Sequence, residues 1–108
     1  MTLQKDIPIK DEDYKSYIRT RPCIGCGCTG YTVAHHQPAR GNSGMGCKVS
    51  DRRCLPLCRP HYFRGELVSC HDAYHQMSWP FWEKRGIDVE QLIERLNMAY
   101  AEERGDLL

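Results

Sequence analysis

Two short metal-binding half-motifs constrain this chain more than any other feature. Cys23 and Cys26 form a Cys-x-x-Cys, and Cys58 and His61 form a Cys-x-x-His. Each pair holds its two ligands three positions apart, which lets both turn onto one tetrahedral ion, and four soft ligands with no open position describe structural zinc. Cys23, Cys26, Cys58 and His61 are therefore the expected zinc ligands, with Cys70 a rival for the fourth place. The chain carries seven Cys and five His in 108 residues. The odd cysteine count, and a first ten residues with charges and no apolar stretch, favour metal in a cytoplasmic protein over disulfides in an exported one. At 12.5 kDa there is one small domain, 1–108, whose core alone supplies little net stability, so a metal staple fits. Cys28, Cys47 and Cys54 are left as small buried hydrophobes.

The rest of the chain reads as short elements around this staple. Residues 1–10 form a loose arm. Residues 11–20 form a helix, with Tyr14, Tyr17 and Ile18 on one face and acids in its first turn. Residues 22–30 are a Gly-spaced knuckle, and residues 31–36 a strand. Residues 37–51 are a Gly-rich loop of a length that usually serves a function. Residues 53–58 return as a second strand, with Pro56 demanding an edge. Pro60 at a first helical position predicts a helix over 60–64, and residues 71–77 a further one. In the C-terminal helical region, 79–108, Asp88 and Gln91 are placed as a capping box. Val89, Leu92, Ile93, Leu96 and Tyr100 form the apolar stripe of the last helix, and Gly105 stops it. Trp79, Phe81 and Trp82 read as core rather than as stacking platforms. No apolar run approaches the roughly 18 residues of a membrane span.

The histidines supply a second constellation. His71 and His75 lie at i and i+4, one above the other on a helix face, a common two-ligand clamp. His35 and His36 are adjacent in a strand, where side chains point to opposite faces. At a strand end such a pair separates a metal ligand from a neighbouring general base.

The order Cys-x-x-Cys, strand, His-His, Gly-rich loop, Lys-x-Ser-Asp, Pro-Leu-Cys-x-x-His, then a helix with His-x-x-x-His resembles the HNH endonuclease family and its ββα-metal fold. More closely, it is similar to the prophage-borne, Ref-like recombination-enhancement nucleases. The matching pieces are residues 14–27, His35-His36, residues 48–51, Pro56-Leu57-Cys58 and residues 81–88. The resemblance implies a small α+β fold, a zinc-stapled ββα-metal core over residues 22–78 with flanking helices. It implies His36 as the general base that takes a proton from water. It places His35, His71 and His75 on the catalytic metal, and Asp51, or else Arg53, near the position that orients the base. The related pattern runs Cys-x-x-His-His-x-x-x-His without a break. Here Tyr62 follows His61, so either an insertion interrupts the helix or Cys70 replaces His61 at the zinc.

These readings set the expected function. It is a metal-dependent endonuclease that hydrolyses DNA phosphodiester bonds in phage or prophage DNA processing or recombination. Its expected cofactors are a structural Zn²⁺ and a second divalent ion, Mg²⁺, Mn²⁺ or Zn²⁺. Three imidazoles suit transition metals better than Mg²⁺. The expected partners are DNA and a recombinase filament, with no membrane. The alternative is a non-catalytic zinc-binding module that binds nucleic acid or a recombination or replication protein. Such a module has no use for the second histidine set. A formal charge of +1 argues at first against nucleic acid. However, Arg19, Arg21, Arg40, Lys48, Arg52, Arg53, Arg59 and Arg64 share their stretch of chain with one acid, Asp51. The charge is dipolar, and Arg40, Lys48, Arg52 and Arg53 are the expected phosphate-binding cations.

Overall fold

In the computed structural model, which describes residues 10–39 and 49–105, the chain runs through four helices and two small antiparallel sheets. Helix α1 (Glu12–Arg19) starts where the Asp11 carboxylate accepts the Tyr14 N–H at 3.0 Å. Glu12 and Asp13 lie at the positive end of its dipole. Strand β1 (Thr32–His36) then pairs with β2 (Cys54–Cys58), Thr32 opposite Cys58 and His36 opposite Cys54. The Pro56 carbonyl turns away from β1 to accept the Ile24 N–H at 3.0 Å. The N–H that proline lacks is thus missing from the outer edge, where the ladder does not need it.

All five residues of β2 are buried, because helices cover both of its faces. Leu55 and Leu57 face a cluster that includes Tyr74, Phe81, Trp82, Val89 and Ile93. Cys54 faces Tyr14, Ile18 and Tyr100 on the other side. Each such large apolar side chain contributes about 1.5–3 kcal/mol on full burial. Burial also pushes the Cys54 thiol up to about 12, so it behaves as a small hydrophobe.

The helix expected over residues 60–64 is not there. A hairpin takes its place, β3 (His61–Phe63) and β4 (Glu66–Val68), with His61 opposite Val68. Arg64 (φ 53°) and Gly65 (φ 84°) both adopt the left-handed conformation, the two-residue turn whose twist matches a hairpin. That turn overrides the helix start offered by Pro60. Tyr62, Phe63 and Leu67 stand exposed on this hairpin.

Helix α2 (Cys70–Met77) is capped by Ser69, whose hydroxyl accepts the Asp72 N–H at 3.2 Å. It turns at Ser78 directly into α3 (Trp79–Lys84), which buries Phe81 and Trp82. Helix α4 (Val89–Arg104) has the expected Asp88 cap on the Gln91 N–H and ends at Gly105 with φ 79°. Among the described residues no helix is long and apolar enough to cross a membrane.

Candidate functional site

The knuckle before β1 is closed by the Cys23 N–H donating to the Cys28 carbonyl at 2.9 Å and the Gly27 N–H to the Cys23 carbonyl at 2.8 Å. It lies against the end of β2 and the start of α2. Cys23, Cys26, Cys58 and Cys70 meet there, with sulfur atoms all within 4.8 Å of one another. Cys26 and Cys58 are 3.7 Å apart, close to the roughly 3.8 Å between thiolates on a tetrahedral zinc. The backbone prepares these sulfurs as ligands: Gly25 N–H points at Cys23 Sγ and Cys70 N–H at Cys58 Sγ, at 3.3 and 3.2 Å. The hydrogen bond with Cys70 holds the Cys23 thiol down to about 4, while the same contact and burial push Cys70 up. Burial raises Cys58 to about 11. Crowded thiolates of this kind are stabilised together only by a cation, and the four donors fit a zinc ion. Gly25 is required by this packing, since a Cβ there would lie 2.6 Å from Cys70 Sγ.

Of the two rivals for the fourth place, Cys70 is the one gathered with Cys23, Cys26 and Cys58. The β3–β4 hairpin separates His61 from the strand–helix junction, and Cys70, immediately before His71, returns a ligand to it. His61 instead lies flat on Tyr31, ring centroids 4.3 Å apart, and is grouped with Cys26 and Cys28.

On α2 the next residue begins the second cluster. His71 and His75 bring their Nε2 atoms to 3.1 Å, and His35, reaching across from β1, joins them in a set of three ligand atoms within 4.8 Å. His35 is buried and its pKa is pushed down to about 4 by that burial; burial and then the neighbouring His75 lower His71. Both rings are thus neutral with a lone pair available, as metal ligation requires. One residue gives no sequence signal and organises this set. Gln37, fully buried, accepts from Trp82 Nε1–H at 3.2 Å through Oε1 and donates through Nε2 to the Tyr74 hydroxyl at 3.1 Å. The indole can only donate, so the amide orientation is fixed, and His35 Nε2 must donate to the same Oε1 at 2.9 Å. Nδ1 of His35 then keeps the lone pair that it could offer an ion, the usual way a neighbouring amide or carboxylate sets a metal-binding tautomer. These three imidazoles fit a borderline transition metal.

His36 closes β1 and points away from His35, toward the 3₁₀ turn Asp51–Arg53. Its Nε2 lies 2.8 Å from Asp51 Oδ1, with 40% of the His36 side chain exposed. Burial alone would raise the Asp51 pKa, but the hydrogen bonds from His36 and from the Asp11 N–H (2.7 Å), with Lys15 nearby, bring it below the usual carboxylate range. An ionised Asp51 makes His36 Nε2 the donor, leaving His36 Nδ1 free to accept a proton.

The expected phosphate-binding residues divide. Arg40 and Lys48 lie outside the described residues. Arg52 donates to Asp11 and Asn97 and lies beside Tyr14 and Tyr100. Arg53 donates to the Gln37 carbonyl and grips Glu90 through both terminal nitrogens, at 2.9 and 2.6 Å. Arg52 therefore ties the start of α1 and α4 to the turn, and Arg53 ties the end of β1 and α4 to it. Exposed cations of the same basic stretch are Arg19, Arg59 and Arg64.

No solved structure matches the chain. It is 32% identical over 90 residues to the uncharacterized protein YdfU of Escherichia coli (strain K12), aligning 83% of its own length with 23% of that protein. It thus spans well under half of this relative. The family model described as "Protein of unknown function (DUF968)" matches residues 1–102, and the chain belongs to the DUF968 family.

Proposed function

We propose that this chain is a metal-dependent DNA endonuclease of the HNH type, in which β1, β2 and α2 form the ββα-metal core. The observation that carries the reading is the end of β1. His36 is held by Asp51 at 2.8 Å, and the preceding residue, His35, belongs to a three-imidazole set with His71 and His75. A three-imidazole metal set that grades from buried His35 to exposed His75, beside a carboxylate-oriented, solvent-accessible histidine, is what hydrolysis of a phosphodiester needs. A zinc module needs neither.

In this mechanism His36 Nδ1 takes a proton from water as the water oxygen attacks phosphorus. The new P–O bond forms as the bond to the leaving sugar oxygen breaks. Asp51 keeps the His36 ring in place and stabilises the imidazolium that forms. His35, His71 and His75 would hold the divalent ion, which supplies charge stabilisation for the phosphate and the leaving oxygen. Cys23, Cys26, Cys58 and Cys70 would hold the structural zinc. Exposed Arg59 and Arg64 favour a polyanionic substrate electrostatically. Action on phage or prophage DNA, with a recombinase filament as partner, belongs to the same proposal.

The test is incubation of the metal-loaded protein with single-stranded, duplex and branched DNA, each with Mg²⁺, Mn²⁺ or Zn²⁺, beside His36→Ala. The expected result is cleavage by the wild type and a loss of about 10²–10⁴-fold in the variant, with zinc content and circular dichroism unchanged. Equal cleavage by His36→Ala removes the assignment of the base. Metal binding without cleavage of any substrate leaves the binding module.

A further inference from the structure

His61 is buried to 6% exposure, yet among the described residues neither of its ring nitrogens has a hydrogen-bond partner. A buried polar group left unmade in this way costs about 1–3 kcal/mol, and a ring stacked flat on Tyr31 is not free to turn away and recover it. Two thiols lie close to its ligand atom: Cys26, Cys28 and His61 present one donor each, all within 4.8 Å of one another. Cys28 is brought there by the knuckle, whose closing bond runs from the Cys23 N–H to the Cys28 carbonyl. Cys26 belongs to this trio and to the four-sulfur set at once.

We propose that Cys26, Cys28 and His61 form an additional metal site for a thiophilic dication such as Zn²⁺, joined to the four-cysteine site by the Cys26 thiolate, which bridges the two ions. The buried His61 nitrogen then gains the partner it lacks. Charge favours the arrangement. Four thiolates around one dication carry a net charge of −2, and a second dication that adds only the Cys28 thiolate leaves the pair at −1. On binding, the Cys28 thiol releases its proton to solvent and the sulfur bonds the metal. Three protein donors leave a fourth position for water. Because His61 is the first residue of β3, the ion would also fasten the base of the exposed hairpin to the knuckle.

This site is independent of DNA cleavage and of the histidine set, so the test removes the latter. In full-length His71→Ala/His75→Ala protein loaded with zinc alone, native mass spectrometry is expected to count two ions. Adding Cys28→Ser, or His61→Ala, is expected to reduce the count to one with the far-ultraviolet circular dichroism retained. Cys28 is half-exposed, so its substitution answers the question even where His61→Ala fails to fold. Loading with ¹¹³Cd²⁺ is expected to show two resonances, an all-sulfur one and a mixed sulfur–nitrogen one that vanishes in Cys28→Ser. A single ion in the His71→Ala/His75→Ala protein, unchanged by Cys28→Ser, overturns the proposal. So does a single mixed-ligand cadmium resonance, which would make His61 a ligand of one mononuclear site.

Discussion

The sulfur corner and the histidine edge share one helix and differ in almost everything else. Cys70 and His71 are consecutive on α2, so the same first turn feeds both. The sulfur corner gathers its donors from the knuckle, the end of β2 and α2, three segments remote in sequence, and three of its four cysteines are buried. The histidine edge draws one buried ligand from β1 and two from a single face of α2, His71 half-buried and His75 exposed. Soft, enclosed donors hold an ion for structure; imidazoles that grade from buried to exposed leave an ion approachable. The contrast also implies a direction of dependence. Losing the corner displaces the turn on which the edge is built, whereas the edge can be stripped without unravelling the corner.

The sharpest way to break this contrast is Cys58→Ser. Structural zinc in small domains is worth an apparent 10–16 kcal/mol or so near neutral pH, as large as the whole stability of a typical domain. Loss of cooperative thermal unfolding and of all bound metal is expected, read by circular dichroism and native mass spectrometry. A folded, zinc-loaded Cys58→Ser protein would reverse the ranking of the two regions. Asp51→Asn acts on the other side: a fall of about 10²–10⁴-fold in DNA cleavage with metal content retained, and a lower melting temperature because the amide oxygen can accept from only one of the His36 and Asp11 N–H groups.

Gln37→Leu probes the link between core and edge. It leaves Trp82 Nε1, the Tyr74 hydroxyl and His35 Nε2 without their amide partner. About 1–3 kcal/mol of stability should be lost, and metal affinity at the three histidines should weaken by roughly 10–100-fold. Isothermal titration should find the four-cysteine zinc unaffected. The smallest effect is expected from Glu90→Gln, since this ion pair lies at the surface with the Glu90 side chain 58% exposed. A change of about 0.2–1 kcal/mol in chemical denaturation, diminishing with salt, is the expected outcome.

Local signals marked the helices well. Asp88 and Gly105 each carry a capping role that depends only on neighbours a few residues away, and the burial of β2 on both faces fits its short apolar run. The hairpin was hidden because Pro60 is a sound helix start, and the competing signal, Arg64-Gly65, depends on a non-glycine residue accepting a positive φ. The choice between His61 and Cys70 could not be read along the chain, because it turns on where the hairpin carries His61 in space. Gln37 was invisible for a related reason. It follows His-His at the head of a loop, and its importance comes from Trp82 and Tyr74, far along the sequence. Arg52 and Arg53 looked like free cations for the same reason: Asp11, Asn97 and Glu90 become their neighbours only once α1 and α4 pack.

The burial of Cys54–Cys58 on both faces has a kinetic consequence. A strand shielded by two separate clusters exposes its amides only when both halves of the core come apart, so local breathing of either half leaves it protected. With Cys58 anchoring its end, β2 would be the slowest segment to exchange its amide protons with solvent. The exposed β3–β4 hairpin, joined directly to it, would be among the fastest.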